Sequence, residues 1–375
     1  MLKIQSRQFS REHDLFACIQ CGKCTGGCPM AIKTSLNPRS LIYRLMLSGN
    51  GFDIEGLNEL WDCTTCATCS SRCPKQVNPM EIIISLRSAL VEGGRIHPNI
   101  KTALESTFRH GNPLTMLRED RGAWAADLSV EPFSEGTEYL YFVGCTPSYD
   151  PEAQKGARAL VSLLQQAGVS FGILGTDENC CASEVRRLGE AGLFEMMVEE
   201  NLEMYHELGV SKIFTTSPHC FNTFKNDYSQ NEVQLQHYTQ VLADLVTSGA
   251  LKFSGKFEKT VTYHDPCYLG KHNGIFDEPR RVLKRIPGVK LVEMDRSREK
   301  SLCCEGGGGR MWLEGTNPET RLARIRVQEA LETGAEILAT ACPFCLLTLD
   351  EAVKHANAQD KIRVMDIAEI AAQAM

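Results

Sequence analysis

Residues 18–29 read C-I-Q-C-G-K-C-T-G-G-C-P, and residues 63–74 read C-T-T-C-A-T-C-S-S-R-C-P. Both have the form C-x2-C-x2-C-x3-C-P, and nothing else in the 375 residues constrains the chain as strongly. Three thiolates at this spacing meet three corners of one iron–sulfur cube. The fourth, turned aside by the following proline, reaches a second cube. This pairing assigns Cys18, Cys21, Cys24 and Cys73 to one 4Fe–4S cluster, and Cys63, Cys66, Cys69 and Cys28 to another. Zinc is the competing occupant. It takes four ligands tetrahedrally, usually as two separated C-x2-C pairs, and two identical runs ending in Cys-Pro fit it poorly. Gly22, Gly26 and Gly27 let the main chain pass close to sulfur and aim N–H groups at it. Each such hydrogen bond raises a cluster's potential.

The runs are separated by helical signals. Asn37-Pro38 and Asn78-Pro79 are N-cap and first-turn pairs. Leu41, Ile42, Leu45 and Met46 share one helical face, as do Ile82, Ile83, Leu86 and Leu90, with Gly49 and Gly93 as stops. The order cysteine run, Asn-Pro, helix occurs twice, which predicts a helical ferredoxin module rather than the short β-rich kind. Seventeen cysteines would suggest a disulfide scaffold in a secreted chain and metal chemistry in a cytoplasmic one. The opening MLKIQSRQFSREHD lacks the apolar core of a signal peptide, so a cytoplasmic location is expected. No apolar stretch approaches the ~18 residues of a membrane span, so membrane association would come through a partner. The net charge of −7, with no basic stripe, argues against nucleic acid.

Beyond a Pro-punctuated connector at 94–136, short apolar strands alternate with amphipathic helices, which predicts parallel α/β units. Strands are expected at 139–143, 171–174 and 212–216, and again at 260–264, 290–293 and 336–339. Helices are expected at 157–166, 190–208, 278–285, 318–333 (capped by Asn317, stopped by Gly334) and 344–356. The cysteines repeat with this pattern. Cys145, Cys180-Cys181 and Ser217-Pro-His-Cys220 correspond to Cys267, Cys303-Cys304 and Cys342-Pro-Phe-Cys345. The offsets are 122 (145 to 267), 123 (180 to 303) and 125 (220 to 345), the mark of a tandem duplication. Adjacent Cα atoms lie ~3.8 Å apart, short of the ~4.4 Å an unstrained disulfide needs. Cys-Cys pairs therefore read better as metal ligands, and each repeat places them at strand ends, where an α/β fold builds its site.

The phrases His264-Asp-Pro-Cys267-Tyr-Leu-Gly, Cys303-Cys304-Glu-Gly-Gly-Gly-Gly-Arg310 and Ala341-Cys-Pro-Phe-Cys345 resemble the cysteine-rich (CCG) domains of heterodisulfide reductases. Ser217–Asn226 is similar to them as well. From about Cys18 onward the chain resembles the fused D-type subunit. The fold implied is a helical two-cluster ferredoxin module at 1–100, a linker at 101–137, and α/β CCG domains at 138–256 and 257–375. The resemblance implies that Cys267, Cys303, Cys304, Cys342 and Cys345 hold a noncubane 4Fe–4S cluster. Electrons would reach it from the ferredoxin cubanes for thiol/disulfide redox chemistry inside a multi-subunit complex, with a flavoprotein or a membrane cytochrome as partner. The first repeat departs from the pattern. Cys145, Cys180, Cys181 and Cys220 are four of five, and Ser217 stands where a fifth thiolate is expected. Serine is a poor ligand for soft iron–sulfur sites, which leaves an altered further cluster, an ordinary one, or none. The departure leans toward relatives with one such site, in sulfite-reduction or benzoyl-CoA reductase complexes. It also keeps open a pure relay, as in the iron–sulfur subunits of glycolate oxidase and glycerol-3-phosphate dehydrogenase.

Other residues carry weaker signals. Gly306–Gly309 lacks the G-x4-G-K-[ST] pattern of a phosphate loop and reads as backbone crowding a cluster. Arg310 reads as an anion ligand or as a solvated or structural residue. His219, His237 and His264 lie close to the cysteine phrases, yet the ordinary reading of each is a core or cap histidine. Lys271, His272 and Lys300 would add positive charge to the second site, and Trp61 would pack. No flavin or nicotinamide motif is present, so a two-electron donor would need another subunit.

Overall fold

The computed structural model describes residues 2–49, 51–228, 233–313 and 321–375. The Asn-Pro pairs act as their chemistry predicts. Asn37 accepts a hydrogen bond from the Ser40 N–H at the start of the helix Pro38–Leu47, and Asn78 accepts from Glu81 at the start of Pro79–Glu92. Proline in the first turn has no N–H to leave unpaired. Leu41, Ile42 and Leu45, and Ile82, Ile83, Leu86 and Leu90, form the buried faces. Gly49 and Gly94 take the left-handed conformation beyond these helices, so Gly94, one residue past the expected stop, makes the turn. A two-residue antiparallel ribbon of β1 (Lys3–Ile4) and β2 (Phe52–Asp53) closes the N-terminal part. The connector contributes a helix, Pro98–His110, and a 3-10 segment, Arg118–Ala125.

The duplication is plain in the sheets. β3 (Tyr139–Phe142), β4 (Phe171–Gly172), β5 (Lys212–Thr215) and β6 (Gln234–His237) form one parallel sheet in the order β4-β3-β5-β6. β7 (Thr260–Tyr263), β8 (Lys290–Val292), β9 (Ile337–Thr340) and β10 (Arg363–Asp366) form another in the order β8-β7-β9-β10. Counted from the first strand of each repeat, the two orders are identical. The sequence anticipates three strands per repeat. The fourth strand of each sheet, Gln-Leu-Gln-His and Arg-Val-Met-Asp, lies at an edge and carries no apolar run. The helix expected from Pro318 runs from Leu322 to Glu332; Asn317 and Pro318 lie outside the described residues.

The two sheets share one core. Tyr141, Leu160, Leu164 and Phe214 of the first repeat and Val261, Ala339, Met365 and Ile370 of the second belong to a single apolar cluster. Tyr238 donates across the join to Asp366 at 2.8 Å.

The ferredoxin part is tied to both repeats by Arg87, which is fully buried. Its guanidinium donates five hydrogen bonds, all to main-chain carbonyls. Leu60 accepts two of them and Cys63 one, within the ferredoxin part, while Arg187 of the first repeat and Gly308 of the second accept the others. Gly189 completes the contact at φ +89°, where an added Cβ would lie 2.5 Å from the Ser88 nitrogen. Gly136 has nearly the same φ, +90°, with nothing within 4 Å of an added Cβ. Gly136→Ala should therefore show only the left-handed penalty of about 1–3 kcal/mol, and Gly189→Ala should lower the denaturant midpoint clearly further. Equal midpoints for the two variants would show that the Arg87–Gly189 junction does not carry stability.

Candidate metal centres

One cavity is lined by Cys18, Cys21, Cys24 and Cys73, and another by Cys28, Cys63, Cys66 and Cys69. The last cysteine of each run thus faces the other run's trio. Burial and the neighbouring Cys66 and Cys63 sulfurs push the Cys28 thiol up to about 12, and burial pushes Cys63 up to about 11. The runs turn tightly, through Gly22 at φ +77° before the turn Lys23–Gly27 and Ala67 at φ +58° before Thr68–Ser71.

In the second repeat, Cys267 starts the short helix after β7, and Cys303-Cys304 lie in the loop beyond β8. Cys342 follows β9, and Cys345 sits in the first turn of Pro343–His355. All five are buried. Cys304 and Cys345 have sulfurs 3.4 Å apart, and Cys267 interacts electrostatically with Cys303, Cys303 with Cys304, and Cys342 with Cys345. Five soft donors converge with no disulfide among them. That is one more than a tetrahedral zinc site takes, and an all-thiolate set suits iron–sulfur. The residues present therefore fit a cluster.

The first repeat repeats this geometry with four sulfurs. Cys181 and Cys220 are 3.1 Å apart, and Cys180 interacts electrostatically with both Cys145 and Cys181. The Ser217 hydroxyl accepts from the Cys220 N–H at 3.3 Å and caps the helix Pro218–Asn226. Its counterpart Cys342 makes no cap bond. Hence the hydroxyl is engaged by the helix, while the sulfur at the same position joins the other donors. Arg121, buried in the connector, reaches the Cys145 sulfur at 3.6 Å while paired to Glu178 at 2.6 Å. Glu178 in turn accepts from the N–H groups of Val143 and Gly144. No motif marks Arg121 or Glu178, and nothing in the residues around them points to either.

The second cysteine run lies directly against the second repeat. The Cys303 sulfur is 3.6 Å from the Thr64 hydroxyl and interacts electrostatically with Cys66. The Thr65 hydroxyl is 2.7 Å from that of Tyr268, its carbonyl is 2.9 Å from His272 Nε2, and Lys271 donates to the Thr68 hydroxyl at 2.8 Å. Lys271 and His272 thus lie at the junction of the two sites, whereas Lys300 is exposed. The glycine run does more than crowd a cluster. A Cβ on Gly308 would lie 2.6 Å from the Cys63 carbonyl, one on Gly307 2.9 Å from the His219 ring, and one on Gly306 3.5 Å from the Cys304 sulfur. Arg310 is buried between Asp62 and Glu305, a structural role. Trp61 packs beneath the Arg87 guanidinium, 5.2 Å from its ring centroid.

The histidines divide. His237 is a cap, bonded to Thr239 and the Thr216 carbonyl and driven down to about 3 by burial. The other two are core residues placed against the cysteines. His264 lies with Cys304 and Cys345, all three donor atoms within 4.8 Å of one another, and its Nδ1 accepts from Arg326. His219, from the first repeat, is hydrogen-bonded to Glu184 at 3.0 Å and interacts with Cys342 of the second. Burial opposes its charge, yet these two partners hold it up at about 9.

The family described as cysteine-rich domain matches residues 139–225 and 261–350, and the 4Fe-4S dicluster domain matches 17–78. The chain is 35% identical over 96% of its length to the D subunit of the dihydromethanophenazine:CoB–CoM heterodisulfide reductase of Methanosarcina barkeri, covering 94% of that protein. The chain belongs to the family of heterodisulfide reductase D subunits. It is also 35% identical, over its whole length, to the probable iron-sulfur-binding oxidoreductase FadF of Bacillus subtilis, of which it spans 61%. To the EtfAB:quinone oxidoreductase of Syntrophomonas wolfei it is 34% identical over 96% of its length, spanning 58% of that protein. The chain thus spans about three fifths of these two longer relatives. No helix among the described residues is long and apolar enough to cross a membrane.

Replacing Ser217 by Ala removes the cap and should cost about 1 kcal/mol, read as a lower unfolding midpoint. Ser217→Thr, which keeps the hydroxyl, should stay near the parent. A full loss of stability in Ser217→Thr would mean that something other than the cap holds this position.

Proposed function

We propose that this chain is an iron–sulfur oxidoreductase subunit in which the two cysteine runs hold cubane clusters and the five cysteines of the second repeat hold a noncubane one. Cys145, Cys180, Cys181 and Cys220 hold a further cluster, with Arg121 offsetting its charge. When bound, these groups supply one-electron carriers, and the second repeat's cluster supplies an iron at which a thiol or disulfide is oxidised or reduced. The observation that carries the reading is the approach of Cys303 to the second cysteine run, its sulfur 3.6 Å from the hydroxyl of Thr64, the neighbour of Cys63. Thr64, Thr65 and Thr68 hold that contact in register through Cys303, Tyr268, His272 and Lys271.

A second reading, a relay with no substrate of its own, draws support from enclosure. All five sulfur donors of the second repeat are buried, and the first repeat's Ser217 is engaged by its helix. The partner would then be the remainder of a larger oxidoreductase, such as a flavoprotein or a membrane cytochrome.

Anaerobically purified protein should contain about sixteen irons, at four per cluster, with matching sulfide. Cys345→Ser should remove about four and abolish dye-linked disulfide reduction. About eight irons in the parent would confine loading to the ferredoxin part and sink the cluster assignment of both repeats. A Cys345→Ser variant that still reduces disulfide would leave the relay as the surviving reading.

A further inference from the structure

The motif Ser217-Pro-His-Cys220 aligns with Cys342-Pro-Phe-Cys345, so His219 and Phe344 occupy the same place in the two repeats. Each crosses the pseudo-twofold. Phe344 lines the cavity around Cys145, Cys180, Cys181 and Cys220 of the first repeat. His219 lines that cavity from its own repeat and also reaches the second repeat, where it packs on Phe344 and interacts with Cys342. The imidazole is held on every side. It stacks on Tyr268 at 4.1 Å between ring centroids and lies 4.8 Å from Phe344. Only glycine fits at Gly307, whose added Cβ would come 2.9 Å from the ring. Glu184 accepts at Nδ1, and its other oxygen accepts from the Gly309 N–H at 2.8 Å. With Nδ1 directed to Glu184, the remaining nitrogen, Nε2, is the one available to Cys342.

A buried ring fixed by a carboxylate on one nitrogen, with a ligand sulfur at the other, is the arrangement by which outer partners orient and tune metal ligands. We propose that His219, lent by the first repeat, is a positioning residue of the second repeat's metal centre. Its hydrogen bond to the Cys342 sulfur raises the reduction potential of the iron bound there. The inference rests on the reading that Cys342 is a cluster ligand. It gives the incomplete first repeat a task that needs no fifth cysteine, and it accounts for the asymmetry at this position. An imidazole serves the site with five sulfurs and an apolar ring closes the site with four. Hydrogen bonds to cluster sulfur favour the reduced, more negative state, so losing this one makes reduction harder.

The test uses the full chain, anaerobically purified, with iron and sulfide counted and the second-repeat EPR signal titrated against potential. Cys342→Ser identifies that signal by removing or altering it. His219→Phe places in the first repeat the residue the second already has, and it should keep the parent's iron while its signal titrates at more negative potential. At least a tenfold change in the reduction equilibrium is expected, about 59 mV for one electron. His219→Gln, which keeps an N–H donor, should recover much of the shift. A His219→Phe protein with parental iron and an unchanged potential overturns the inference and leaves the cluster assignment standing. A Cys342→Ser protein with parental iron and an unaltered signal overturns the assignment and, with it, the inference. Should His219→Phe not accumulate, histidine-specific 15N labelling decides. A nitrogen coupling to the signal that disappears in His219→Gln supports the inference, and one that is absent or persists overturns it.

Discussion

A guanidinium buried without a carboxylate on any of its hydrogen bonds holds this molecule together. Arg87 leaves the ferredoxin helix Pro79–Glu92 and donates only to carbonyls, those of Leu60, Cys63, Arg187 and Gly308. Those carbonyls belong to three different parts of the chain, so the bonds form only when all three are docked. Taking a cation out of water is costly unless an opposite charge lies close. Burial works against the Arg87 charge, and Cys63 is the first group working for it, ahead of Glu184. Docking of the parts and the burial of Arg87 beside the second cysteine run are therefore one energetic problem with one solution.

The glycine run carries the same constraint in steric form. Between Cys304 and Arg310 the main chain passes the Cys304 sulfur, the His219 ring, the Cys63 carbonyl and Leu188 in four successive residues. A side chain at Gly307, Gly308 or Gly309 would force apart either the two repeats or the second repeat and the ferredoxin part. Glu305, held at φ +74° just before the run, fixes its entry by pairing with Lys33 of the ferredoxin part and accepting from the Leu322 N–H. Proximity of the second cysteine run to Cys303 follows from this path, because the loop has no bulk with which to hold the two sites apart.

Duplication supplied two copies of one parallel sheet, and the copies then diverged at the sulfur sites while keeping their strand order. The exchanges are local and physically paired. Ser217 caps a helix where Cys342 offers sulfur, and His219 is polar where Phe344 is not. Because the third residue of each motif reaches across the pseudo-twofold, a change in one repeat is felt at the other's site. The common core around Tyr141, Phe214, Val261 and Met365 keeps that crossing rigid.

Periodicity and spacing are enough to find what depends on near neighbours. The Asn-Pro caps, the helix faces, the first three strands of each repeat and the grouping of Cys28 with the second run all follow from residues a few positions apart or from a strict motif. The edge strands β6 and β10 escape such a reading because pairing, and not an apolar pattern, makes them strands. Gly94 makes the turn expected of Gly93, a one-residue matter of backbone φ. The core-or-cap reading suits all three buried histidines, but only His237 has its partner, Thr239, two residues away, while Glu184 and Arg326, the partners of His219 and His264, come from distant segments. Arg87, Arg121, Glu178 and Glu184 carry no signal, since a charged residue in a helix or connector looks solvated until the fold removes the water. The sequence by itself determined the two ferredoxin-type cysteine runs and the repeated cysteine pattern of the two sheets, because spacing is a property of the chain alone. Only the tertiary structure decided which sulfur set touches which, and which repeat's histidine serves the other's site, because those contacts join residues more than a hundred positions apart.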